Sequence, residues 1–95
     1  MQNTIVLLNF NTGEYKMNVL AILAIVVKDP ESTAKINELL HENARYINGR
    51  MGLPQKERNL SVISVILDAP QEVLNALSGK LGMLKGVTSK LLIAK

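Results

Sequence analysis

Nine consecutive apolar residues, Val19 to Val27, constrain this chain more than any other segment. The odd positions (Val19, Ala21, Leu23, Ile25, Val27) and the even ones (Leu20, Ile22, Ala24, Val26) are both apolar, so a strand here has no polar face. Such a strand belongs at the centre of a sheet that is covered on both sides. The run stops at Lys28-Asp29-Pro30, far short of the ~20 residues that span a bilayer.

Asp29-Pro30-Glu31 predicts a helix start: Asp29 accepts from orphan amides, Pro30 suits the first turn, and Glu31 favours the positive end of the helix. The helix carries Ile36, Leu39 and Leu40 on one face to about Asn43. Tyr46 to Leu53 predicts a weaker strand with Ile47, Met51 and Leu53 on one face, diluted by Gly49 and Gly52, and Pro54 with Gln55 to Asn59 turns the chain. Leu60 to Leu67 is apolar on both parities again, apart from Ser61 and Ser64. Asp68-Ala69-Pro70-Gln71-Glu72 repeats the helix-start grammar. Val73, Leu74, Leu77, Leu81 and Leu84 then trace a helical stripe, weakened by Gly79 and ended near Gly82 or Gly86. Val87 to Ala94 predicts a last strand, with Val87, Leu91 and Ile93 on one face and Leu92 and Ala94 on the other.

At an offset of 40 residues, Val26-Val27-x-x-Pro30 lies over Ile66-Leu67-x-x-Pro70, so the chain reads as a doubled βαβ unit. Two such units with right-handed crossovers interleave into a ferredoxin-like βαββαβ fold of the α+β class, a four-stranded antiparallel sheet with both helices on one face. The middle pair of that sheet is formed by the two strands the sequence makes most apolar. Two helices cover only one face, so a monomer would leave the other apolar face in water. The cheapest cover is a second copy, and a homodimer or tetramer is expected.

Residues 1–16 read as an N-terminal extension and residues 17–95 as the domain. Thr4 to Phe10 predicts an extra strand, followed by a turn at Asn11-Thr12-Gly13. Both edges of the Val19 to Val27 strand are already taken, so this extra strand is expected to join an outer strand or a neighbouring subunit.

Composition narrows the chemistry. The chain has 95 residues, 47% of them hydrophobic, enough for one aliphatic core and too few for a multidomain enzyme. Phe10, Tyr15 and Tyr46 are all its aromatics, which leaves little for base stacking. Cysteine is absent, which removes disulfides, thiolate metal sites and cysteine nucleophiles and fits a reducing, cytoplasmic compartment. His41 is the one histidine; it flanks the apolar stripe of the first helix, so no metal site, no cofactor and no catalytic residues are expected within one chain. A metal-carrying assembly factor with His41 paired across a symmetry axis is an alternative. The net charge is +3, and Lys80, Lys85, Lys90 and Lys95 fall in a final stretch without acids. They are spread over a helix end, a turn and a strand, so they need not share the single basic stripe of a nucleic-acid reader. A DNA-contacting regulator that uses Thr4 to Phe10 as a ribbon would want Lys or Arg alternating there, and that segment has none. No membrane contact is expected either.

The most unusual string runs Tyr46-Ile47-Asn48-Gly49-Arg50-Met51-Gly52-Leu53-Pro54. It reads either as strand with glycines that permit a bulge, or as a ligand or partner site where glycine lets an anion approach and Arg50 supplies a forked donor. Gly49, Arg50, Met51 and Gly52 are the first candidate site residues, with Lys80 and Gly82 second. Gly79 and Gly82 themselves read as a frayed helix end or a tight helix–sheet contact.

Taken in order, Val27-x-Asp29-Pro30-Glu31-Ser32, Asn37-Glu38-Leu39-Leu40-His41-Glu42, Gly49-Arg50-Met51-Gly52-Leu53-Pro54, Ser61-Val62-Ile63-Ser64-Val65 and Asn75-Ala76-Leu77-Ser78-Gly79-Lys80-Leu81-Gly82 with Gly86-Val87 resemble a known family. It is the small bacterial family of iron-only hydrogenase system regulators, and the resemblance spans about residues 19–94. It implies an oligomeric ACT-like domain, similar to the C-terminal domain of the nickel-responsive repressor, in a regulatory rather than catalytic setting. The implied partners are further copies of the chain, another protein of a hydrogenase system, and an unidentified small molecule. Two features depart from these relatives. Amino-acid-sensing ACT domains usually carry an Asp-x-Pro-Gly-like turn where this chain has Asp29-Pro30-Glu31-Ser32-Thr33, and the nickel repressor's domain needs several histidines and a cysteine.

Overall fold

The computed structural model describes residues 6–9 and 14–94. Five strands and two helices follow one another as β1 (Val6–Asn9), β2 (Glu14–Val27), α1 (Thr33–Glu42), β3 (Ile47–Gln55), β4 (Leu60–Pro70), α2 (Gln71–Gly82) and β5 (Val87–Ile93). Strands β5, β2, β4 and β3 lie side by side in that order, every neighbouring pair antiparallel. This is the ferredoxin-like arrangement, with the two strands that lack a polar face in the middle.

Alternation along the central strands decides where the core sits. Ala21, Leu23, Ile25 and Val27 of β2 pair with Leu67, Val65, Ile63 and Ser61 of β4, and this parity meets both helices. Ile36, Leu39 and Leu40 of α1 and Leu74, Leu77 and Leu81 of α2 are buried against it. The one polar residue that β5 turns toward the helices is satisfied: the Ser89 hydroxyl donates to the Ser78 carbonyl of α2 at 3.0 Å and lies 2.6 Å from the Ser78 hydroxyl. The other parity of the sheet faces away from both helices. There Ile22, Val62, Ile66 and Leu92 stay 39%, 40%, 42% and 64% exposed, an apolar surface that no described residue of the chain covers.

The extra N-terminal strand corrects the expectation that it could not pair with β2. β2 is 14 residues long, and β4 joins it only from Asn18 and β5 only from Ala21. The free stretch Glu14 to Met17 therefore has open edges, and β1 forms an antiparallel hairpin with it, Val6 opposite Met17 and Asn9 opposite Glu14. Thr4, Ile5, Phe10 and the turn Asn11-Thr12-Gly13 lie outside the described residues.

The two helix starts, alike in sequence, differ in structure. Before α1, the Asp29 carboxylate accepts from the Glu31 backbone N–H at 2.9 Å and a short 3₁₀ turn, Pro30–Ser32, leads into the helix. Before α2, β4 runs on through Asp68 to Pro70, where Asp68 is paired opposite Leu20 and no side chain caps the helix. Strand pairing has taken the residue that the repeated grammar assigned to capping.

Gly86 is not a helix end but a point of close approach. α2 ends at Gly82, and Gly86 has φ of +69° with its carbonyl accepting from the Lys28 N–H at 2.7 Å. A Cβ at Gly86 would lie 2.7 Å from Asp29 Cβ and 2.8 Å from Asp29 N. The Ser32 hydroxyl donates to the Lys85 carbonyl at 2.6 Å, so the loops at the start of α1 and after α2 are fastened together.

Two predictions follow from this junction. Gly86→Ala combines left-handed backbone strain with a backbone clash and is expected to cost about 2–4 kcal/mol, a fall in Tm of roughly 10–25 °C on thermal denaturation. The second concerns pH. The backbone hydrogen bond from Glu31 holds the Asp29 carboxyl below its ordinary pKa; partial burial opposes this, and the Lys85 ammonium 3.4 Å away reinforces it. The folded carboxyl is thus the more acidic form, so its contribution is present above the unfolded value of about 3.9 and is lost as pH falls through the folded pKa. Asp29→Ala is expected to flatten the acid limb of the stability profile between about pH 5 and pH 2, read from urea midpoints.

Candidate functional site

A bulge decides how the string Ile47 to Pro54 is presented. Ile47 pairs with Leu67, but the next partner pair is Gly49 with Ile66, so Asn48 is the extra residue on β3. Because side chains alternate, one extra residue exchanges the two faces for the rest of the strand. Ile47 points to the helices with Leu67, whereas Met51 opposite Ser64 and Leu53 opposite Val62 point to the open face. This corrects the expectation that Ile47, Met51 and Leu53 share one face.

Alternation along the strand splits the four first candidates, and the bulge decides which pair faces the helices. Gly49 and Met51 lie on the open face, Met51 with 61% of its surface exposed. Arg50, opposite Val65, and Gly52, opposite Ile63, lie on the helix side. Lys80 and Gly82 sit exposed on α2, outside the residues that line the clefts at Arg50. Gly79 and Gly82 are not tight helix–sheet contacts either, since a Cβ at either would meet nothing within 4 Å.

Arg50 reaches across from β3 to α1, where its guanidinium donates to Asn37 Oδ1 at 3.1 Å. No acidic side chain among the described residues forms an ion pair with it. On one side of this bridge lies a cleft of about 240 Å³ between α1 and β3. Its floor is apolar, from the buried Val27 and Ile36 and the half-buried Ile63, while Thr33, Asn37, Arg50 and Ser61 supply polar groups. The cleft exists because β3 offers α1 no apolar side chain between Ile47 and Pro54. Gly52 leaves the gap open, with Ile63 Cγ1 3.8 Å from where its Cβ would be. A second depression, lined by Val27, Lys28, Pro30, Thr33, Lys56 and Ser61 among others, adjoins it and shares several of these residues. On the other side of the Arg50–Asn37 bridge, His41 lines a shallow hollow with Leu40, Ala44 and Ile47.

Thr33, Asn37, Ser61 and Ile63 are the cleft residues that the sequence reading did not single out. Thr33 and Asn37 are four apart, so they share one helix face, and that spacing beside Ile36 was the available signal. Among the described residues no group of three or more His, Asp or Glu is placed to hold a metal ion, and no helix is long and apolar enough to cross a membrane.

Comparison with known proteins bears on family and fold. Residues 19–91 match the model of the TM1266-like family, described as "Iron-only hydrogenase system regulator, putative". The structure of an uncharacterized protein of Thermotoga maritima, TM1266, is similar at 37% identity and a TM-score of 0.79, over 82% of this chain and 99% of that one. A formyltetrahydrofolate deformylase from Pseudomonas putida KT2440 shares the fold at 15% identity and a TM-score of 0.57, over 77% of this chain and 28% of the deformylase. No curated protein matches the chain.

The family match begins at residue 19, after the stretch of β2 that pairs with β1. A chain started at Met17 is therefore expected to unfold cooperatively with nearly the same Tm as the full chain, measured by circular dichroism.

Proposed function

Because the chain belongs to the TM1266-like family of iron-only hydrogenase system regulators, we propose that it is a cytoplasmic, non-catalytic regulatory domain that works as an oligomer and responds to a small ligand. Its target is another protein of the hydrogenase system. The observation that carries the oligomeric reading is the open face of the sheet. Leu92, Ile22 and Ile66 form one row across β5, β2 and β4, and Val26, Val62 and Leu53 form another across β2, β4 and β3. Between them Ala24 and Ser64 keep the centre flat, with Lys90 and Met51 at its ends. Four strands ~4.8 Å apart, with about five residues each at ~3.3 Å, make a patch of roughly 300 Å², about the size of the largest apolar patch on an ordinary soluble domain, which is often functional. Stable association needs about 800 Å² per partner, so rim and edge residues must join the apolar centre.

A second copy fits this face because every subunit carries the same need for cover. The non-catalytic reading is supported by the chain's residue inventory: a single histidine, no cysteine, and no carboxylate lining the cleft beside Arg50.

Light scattering is expected to return a dimer or tetramer at micromolar concentration. Ile66→Asp, on central strand β4 in one of the two apolar rows and already 42% exposed, is expected to shift the protein to monomer while its circular dichroism stays native. A wild-type monomer under those conditions overturns the oligomeric reading.

A further inference from the structure

The cleft between α1 and β3 leaves space on the core side of the sheet beside Arg50, a cation that no acidic side chain among the described residues pairs with. Its volume of about 240 Å³ lies below the ~300–1,000 Å³ of sites for drug-sized ligands, which limits an occupant to a small molecule. The floor of Val27, Ile36 and Ile63 asks for an aliphatic body. Arg50 spends one donor on Asn37 Oδ1, and a guanidinium has five in a fixed fork that matches a carboxylate. None of the residues lining the cleft is acidic, and the depression that adjoins it adds Lys28 and Lys56. The local field therefore favours an anion and offers an ammonium group no countercharge.

We propose that this cleft binds a small organic monocarboxylate with a branched aliphatic body and no amine, its carboxylate on Arg50 and its body on Ile36 and Ile63. The proposal rests on the ligand-responsive part of the functional reading and names the chemistry of the ligand. Thr33 and Ser61 supply hydroxyls at the rim for the carboxylate oxygens that Arg50 does not engage. Gly52 is what keeps the site open, since any side chain there enters the space the ligand body takes.

The test is an NMR titration of the full-length, ¹⁵N-labelled protein at constant ionic strength with 4-methylpentanoate, and in parallel with 4-methylpentanamide, leucine and inorganic phosphate. Saturable shifts of the Thr33, Asn37, Gly52 and Ile63 amides are expected with the acid, with Kd on the order of 0.1–1 mM for so few non-hydrogen atoms. The amide lacks the charge and leucine adds an unpaired ammonium, so both are expected to bind at least tenfold more weakly. Arg50→Gln, an exposed position that keeps the fold, is expected to weaken the acid at least tenfold. Gly52→Val fills the cleft and is expected to abolish saturable shifts while its spectrum stays dispersed. No saturation with the acid by about 10 mM overturns the proposal. Equal binding of acid and amide, binding of phosphate as tight as the acid, or unaltered binding by Gly52→Val also overturns it. Light scattering on the same samples separates the two readings: an oligomer that does not bind overturns the cleft alone, and a monomer that binds overturns the covered face alone.

Discussion

The arrangement rests on a mismatch between two central strands that are apolar on both faces and two helices that cover only one of them. Each βαβ half must bury the inner parity of its strand, and α1 and α2 do so together from the same side, closing an aliphatic core that needs no aromatic residue. The outer parity of β2 and β4 is equally apolar and gains nothing from the chain's own helices. A monomeric domain of this fold places polar residues there, as an antiparallel sheet with one solvated face normally does. Ile22, Val26, Val62 and Ile66 instead make that face a second hydrophobic surface that neither helix covers.

The internal repeat is a repeat of pattern more than of contacts. Asp29 stands one residue before Pro30 and Asp68 two before Pro70, and one caps a helix while the other continues a strand. The reason lies in pairing partners. Beyond Val27, β2 has no further strand neighbour, so its chain is free to turn at Asp29, and Gly86 fixes that turn through backbone contact. Beyond Leu67, β4 still has Leu20, Val19 and Asn18 of the lengthened β2 beside it, so Asp68, Ala69 and Pro70 remain in the sheet. The first residues of the domain, Asn18 to Leu20, thus hold β4 in the sheet and set the start of α2, while Glu14 to Met17 before them keep the open edge on which β1 folds back.

Elements with a strong period were legible in the sequence, and so was their order, because the sheet topology follows from which strands lack a polar face. The candidate site was legible only in part. The string Gly49-Arg50-Met51-Gly52 stood out, but alternation sends Gly49 and Met51 to one face and Arg50 and Gly52 to the other, and the bulge at Asn48 decides which pair meets the helices. A bulge changes the parity of everything after it without altering any residue type, so no alternation count along β3 reveals it. Thr33 and Ser61 were invisible for a different reason. Each is an unremarkable polar residue on its own element, and they line one cleft only because Gly52 leaves a space that the helix and the sheet then frame.

That division gives β3 a position no other strand has. Arg50 and Gly52 border the cleft on the helix side, while Met51 and Leu53, one residue away each, extend the apolar face on the other. Strand β3 is also an edge strand with only β4 beside it, and the bulge and Pro54 reduce the hydrogen bonds it can make on its free edge. An occupant in the cleft that orders Gly52 necessarily orders the backbone that carries Met51 and Leu53. If ligand and second copy both prefer the same ordered form of β3, linkage makes each raise the affinity of the other by the same factor. One strand is then the whole path between the cleft and the open face.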